Sequence, residues 1–153
     1  MDNDQGIRTG PMGRGLRFLA GIALIFEGSR HLLGTNAALI LATSAVVLGE
    51  VAFYAVIHLI VSRTSRAMNP WISGMLAVVP IATVFLLSDA PGRLGTLLFV
   101  GISLLMAAAR ADGGCEVMTL PAILFGKRTH LVCVTFSPID WLENKVARNR
   151  SAT

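Results

Sequence analysis

A chain of 153 residues is one domain by length, but 54% hydrophobic and 14% charged residues with a mean hydropathy of +0.67 depart from soluble chains, in which about a quarter of residues are charged. The net charge is +4 and the pI near 9.8, yet the basic residues stand at the ends of apolar runs and in the tails, as a topology signal does. With no RNP-like aromatic motif, zinc-finger spacing or groove-length basic helix, nucleic-acid recognition is excluded and the bilayer is the expected partner.

Residues 1–15 are polar and glycine-rich and are expected to form a flexible cytoplasmic N-terminus. Gly10, Gly13 and Gly15 make no phosphate loop, since no strand precedes them and the Lys-Ser/Thr pair is absent. Residues 16–33, 37–61, 71–88 and 94–109 then form four apolar runs of about 18, 25, 18 and 16 residues, near the roughly 17 to 25 needed to cross hydrocarbon. The first is read as a mature helix, because Glu27, Arg30 and His31 stand where a signal peptide would carry small residues. The fourth is short, and Arg93 and Arg110 can snorkel from its ends.

The expected fold is an all-α membrane protein, an up-down bundle of four helices over residues 16–110 with a small cytoplasmic cap over 111–153. A cytoplasmic N-terminus places Arg8, Arg14, Arg17, Arg63, Arg66, Arg110, Lys127, Arg128, Lys145, Arg148 and Arg150 on one side and only Arg30 and Arg93 on the other. That asymmetry sets both termini inside the plasma or inner membrane. Short connections at 34–36 and 89–93 predict two hairpins, helix one with two and three with four. Ala38, Ala42, Ala45, Gly49 and Ala52 offer a small-residue stripe for close packing of helix two. Pro80 should kink the third helix.

Ionisable residues inside the runs are the ligand or proton candidates. Glu27, Arg30 and His31 share one side of the first helix, and Glu50, Tyr54 and His58 recur every four residues along the second. A carboxylate near the midplane costs a few kcal/mol unless protonated, paired or wet. Glu50 is expected to meet the Tyr54 hydroxyl, a polar group on another helix, or a ligand, whereas Glu27 can satisfy itself through Arg30. In a tight hairpin Glu27 comes level with Thr43 and Glu50 lies roughly 10 Å deeper, too far for a shared metal. The seam reads either as a structural hydrogen-bond network or as a path or seat for a proton, ligand or partner.

In the cap, 117–125 and 130–136 read as a short β-hairpin around "GKRT", with Pro121 confining the first run to an edge. The competing reading has "VMTLPAILFG" dipping into the inner leaflet. "SPIDWLENKVARN" predicts an interfacial helix with Ser137 as N-cap, Pro138 in first position and Asp140 as the capping acid. Cys115, Glu116, His130 and Cys133 are the cap's candidates for a ligand set, with Asp112 in reserve, but their spacing matches no closed zinc pattern and there is no C-x-x-C. Small apolar packing is the plainer role of both cysteines, a disulfide being disfavoured in a reducing compartment.

The four runs with "NPW" opening the third, then "RADGGCEVMTLP" and "THLVCVTFSPIDWLE", resemble small integral membrane proteins of actinobacteria classed as domains of unknown function. The resemblance covers most of the chain and implies location and architecture; it lends no catalytic residue and no cofactor. Three functions follow as expectations: foremost a non-catalytic accessory or scaffold subunit binding a membrane-protein partner, then an oligomeric transporter or channel using the seam around Glu50, then a membrane enzyme acting on a lipid or quinone through Glu50, His58 or Cys115. No motif assembles nucleophile, base and oxyanion donor, so no metal or catalytic residue is assigned.

Overall fold

The computed structural model describes residues 9–63, 70–110, 116–124 and 137–151. Among them are six helices and no strand: α1 Pro11–Leu32, α2 Ala37–Arg63, α3 Pro70–Leu87, α4 Ala90–Arg110, α5 Glu116–Leu124 and α6 Ser137–Ser151. The four apolar runs appear as α1 to α4, although α1 starts at Pro11, inside the stretch expected to be flexible, and α4 starts ahead of Arg93.

Local chemistry sets these boundaries. Proline opens α1, where its missing N–H costs nothing. Leu33 ends α1 in extended backbone and Gly34 follows at φ +85°, the left-handed region that glycine enters without a Cβ penalty. Asn36 then caps α2, its Oδ1 accepting the Leu39 N–H at 3.1 Å. Ser88 and Asp89 link α3 to α4, with the Asp89 carbonyl accepting the Arg93 N–H at 3.1 Å.

α4 is the central helix and packs against α1, α2, α3 and α5. The expected pairing of α1 with α2 as a hairpin is therefore corrected: their connection is tight, but each helix finds its main neighbour in α4. The reason lies in the glycines. A Cβ on Gly21 would stand 2.9 Å from the Gly101 carbonyl, and one on Gly101 would stand 3.0 Å from the Gly21 carbonyl, so these two positions let the α1 and α4 backbones touch. Gly95 does the same for α2, where a Cβ would lie 3.2 Å from the Thr43 carbonyl. The expected small-residue stripe of α2 is corrected as well. Ala38, Ala45, Gly49 and Ala52 are exposed, and a Cβ on Gly49 would meet nothing within 4 Å.

On α2 and α3 apolar and polar residues are distributed inside out. Leu41, Leu48, Phe53, Val56 and Ile60 are exposed on α2, whose buried residues are Thr43, Glu50, Tyr54 and His58. On α3, Trp71, Met75, Leu86 and Leu87 are exposed while Ser73, Gly74 and Ala77 are buried. A protein folded in water hides its large apolar side chains; one solvated by lipid gains nothing by doing so. Ala37–Val61 and Ala90–Arg110, with mean hydropathies of 2.0 and 1.7, are long and apolar enough to cross a membrane, and Trp71–Leu87 is an apolar helix of shorter length.

The expected β-hairpin is also corrected for its first half. Residues 116–124 form α5, with Pro121 inside it, and 130–136 lie outside the described residues. Glu116 through Pro121 are all buried, and Val117, Met118 and Leu120 share a core with Tyr54, Ala77 and Phe99. A run buried on every side has no polar face to alternate, so periodicity cannot separate strand from helix there. The segment packs against α2 and α4. α6 occupies the span expected of the last helix.

Candidate functional site

Two polar sites lie inside the bundle. The first joins the beginning of the chain to its end. Arg17, 1% exposed, projects from α1 between Glu116, which opens α5, and Asp140 in the first turn of α6. Its Nη1 and Nη2 donate to the two Asp140 carboxylate oxygens at 3.1 and 2.6 Å, and its Nε donates to Glu116 Oε1 at 2.9 Å. This is the paired-fork geometry that guanidinium makes with carboxylate. Gly13 makes room for it, since a Cβ there would collide with Asp140 Oδ1.

Two further bonds close the same joint. Glu143 of α6 accepts the Met12 N–H through Oε1 at 2.9 Å, which caps an α1 N-terminus that has no side-chain cap of its own. Arg14 Nε donates to the Ala108 carbonyl at 2.9 Å, near the C-terminus of α4. Asp140 was expected to cap its own helix; its carboxylate is instead given to Arg17, and Arg17 is a buried structural cation in place of a topology marker. Sequence pattern held no sign of this, because the partners are 99 and 123 positions apart.

The second site is the seam on α2. Glu50 (8% exposed), Tyr54 (1%) and His58 (2%) all face inward, as their spacing implies. Of the three partners expected for Glu50, the structure gives it a polar group on another helix and not the Tyr54 hydroxyl. The Tyr54 hydroxyl donates to the Ala77 carbonyl of α3 at 2.7 Å while its ring stacks on Phe99 with centroids 5.5 Å apart. Glu50 turns to α4, with Oε1 lying 2.8 Å from Thr96 Oγ1. That hydroxyl also stands 2.9 Å from the Gly92 carbonyl one turn earlier. Glu50 Oε2 and Thr43 Oγ1 are buried and have no hydrogen-bond partner among the described residues. Thr43 also lines an open apolar groove of about 340 Å³ beside Leu32, Val47 and Leu98, where α1 and α2 diverge on either side of α4.

The third cluster stays at the surface. Glu27 Oε1 accepts from Arg30 Nη2 at 2.8 Å and pairs with His31 Nε2 at 3.1 Å, and all three side chains are about half exposed. The structure does not bring this cluster to Glu50. Of the cap candidates, Glu116 belongs to the Arg17 joint, while Cys115, His130, Cys133 and Asp112 lie outside the described residues. Among the described residues no three metal-ligating side chains come together. Comparison with protein-family models, with curated proteins and with solved structures finds no match, so no family is assigned.

Proposed function

We propose that this chain is a polytopic integral membrane protein that crosses the bilayer with α1 to α4, keeps both termini in the cytoplasm, and serves as a non-catalytic accessory or scaffold subunit for a membrane partner. The observation that carries the reading is the reversed α2, apolar outward over Leu41, Leu48, Phe53, Val56 and Ile60 and polar inward over Thr43, Glu50, Tyr54 and His58. In water that arrangement would expose the apolar face and desolvate the polar one at once. The Arg17 joint agrees with it. By binding the start of α1 to α5 and α6, beyond the end of α4, it gathers both ends of the chain on one face of the bundle, as an even number of crossings requires.

The scaffold role is supported by where the ionisable groups go. Arg17 is held between Glu116 and Asp140 in a fixed joint, and Glu27 is absorbed by its own helix. A fixed joint of this kind suits binding better than turnover. Reporter fusions after residues 35, 66, 89 and 153 test the topology, with alternation of out, in, out, in expected; a periplasmic C-terminus overturns it. Gentle detergent extraction tests the role. A stoichiometric partner subunit is expected to co-purify, and a lone monodisperse particle overturns the scaffold reading.

A transporter is the second reading, favoured by one observation, the buried and unpartnered Glu50 Oε2. Ion flux through proteoliposomes that Glu50→Gln abolishes would establish it in place of the scaffold.

A further inference from the structure

Thr96 has one hydroxyl hydrogen and two acceptors in reach. Its Oγ1 is 2.8 Å from Glu50 Oε1 and 2.9 Å from the Gly92 carbonyl. A hydroxyl donates once and accepts twice, and a carbonyl only accepts. Both contacts become hydrogen bonds together in one arrangement, with Thr96 donating to Gly92 and Glu50 donating to Thr96. For Glu50 to donate, its carboxyl must carry the proton.

The other oxygen points the same way. Glu50 Oε2 is buried with no partner among the described residues. On an ionised carboxylate that would be a charged atom stripped of water and left bare; on a neutral acid it is a carbonyl oxygen, whose desolvation costs far less. Among the described residues no countercharge is placed to relieve it. On α4, Arg93 is exposed and Arg110 lies at the far end. On α5, Glu116 is engaged by Arg17. α3 contains no charged residue. On α2 the nearest titratable groups are Tyr54, which donates to Ala77, and His58, two turns away.

We infer that Glu50 is a proton-binding site of the bundle, held as a neutral acid that donates from Oε1 to Thr96 while Thr96 donates to the Gly92 carbonyl. Its ligand is a proton, bound where α2 meets α4. Release of that proton leaves Oε2 charged and demands a new partner, which couples occupancy of the site to the α2–α4 contact at Gly95. The inference rests on the reading of the chain as a bilayer-spanning bundle.

Infrared spectroscopy of the full chain in lipid vesicles tests it. At about pH 8, well above the range in which a solvated glutamate keeps its proton, the wild type should show the carbonyl stretch of an undissociated carboxylic acid. Isotopic labelling of glutamate should shift that band, and Glu50→Gln should remove it. Glu27 and Glu116 are paired with basic groups, and Glu143 is separated from Glu50 by the difference against the variant. If Glu50→Gln does not fold, Glu143→Gln takes its place: the labelled acid band should survive it, and its disappearance there, or a wild-type spectrum with carboxylate bands only, overturns the inference. Loss of the acid band when sodium is added at constant pH also overturns it, because the site would then hold a metal cation. Failure of the membrane reading registers separately, in the reporter fusions, and does not depend on the protonation of Glu50.

Discussion

Arg17 and Asp140 meet through two parallel hydrogen bonds, Nη1 to Oδ1 and Nη2 to Oδ2, across 123 positions of sequence. The pair is almost fully withdrawn from solvent, and Glu116 occupies the remaining edge of the guanidinium. Removing one partner from such a site costs more than the pair contributes, because the survivors remain buried with their charge uncompensated. Arg17→Ala should therefore lower stability by about 3–5 kcal/mol and release α6, measured as thermal unfolding in detergent and as protease cleavage after Asn144. Arg17→Lys should recover only part of the loss, since an ammonium cannot reproduce the fork. The triple replacement Arg17→Met, Glu116→Leu, Asp140→Leu should recover most of it, because apolar residues of similar volume leave no charge behind.

Glu27 supplies the contrasting case. It too pairs with a basic side chain, Arg30, but all members stand in the open on a single helix. Exposed pairs three or four residues apart on one helix contribute little. Glu27→Gln should unfold at the wild-type temperature in the same assay, and a loss comparable to that of Arg17→Ala would show that the cluster is buried by something bound to it.

These two arginine pairs mark how far sequence reading reaches. Glu27, Arg30 and His31 are neighbours on a helix surface by spacing alone, and the inward face of Glu50, Tyr54 and His58 follows from the same periodicity. Hydropathy locates α1 to α4 because each is a continuous apolar run. Arg17 is different: its partners are supplied by α5 and α6, and nothing local separates a buried arginine from one that snorkels. The small residues illustrate the same limit. α2 and α4 both carry stripes suited to close contact, and only the path of the chain decides that Gly95 and Gly101 are used while Gly49 is left on the outside.

The glycines give a direct test of that choice. At Gly21 a methyl group would press on the backbone oxygen of Gly101, which cannot rotate away. Gly21→Ala should destabilise by about 1–3 kcal/mol, the usual cost of overpacking, and Gly101→Ala should do the same from the other side of the contact. Gly49→Ala meets open space and should stabilise α2 slightly, by up to about 1 kcal/mol, the helix-propensity difference between the residues. Thermal unfolding of the three variants side by side measures this. Destabilisation by Gly49→Ala would mean that the exposed face of α2 is covered by a partner or a second copy.

Tyr54 of α2 supports α3 through its hydroxyl. Pro80 has no N–H, so the Leu76 carbonyl four residues earlier loses its helical donor. The Tyr54 hydroxyl donates to the next carbonyl, that of Ala77, from outside the helix; it ties the proline-bearing turn of α3 to α2 without replacing the donor that Leu76 has lost. Tyr54→Phe keeps the ring that stacks on Phe99 and removes the bond to Ala77, so it should cost about 1 kcal/mol. Pro80→Ala restores the bond to Leu76 within α3, so that this turn is held by its own helix and depends less on the tie from Tyr54. In a double-mutant cycle, Tyr54→Phe should therefore cost less on the Pro80→Ala background than on the wild type. Equal costs on both backgrounds would separate the hydroxyl from the proline and return Tyr54 to the set of residues available for a ligand.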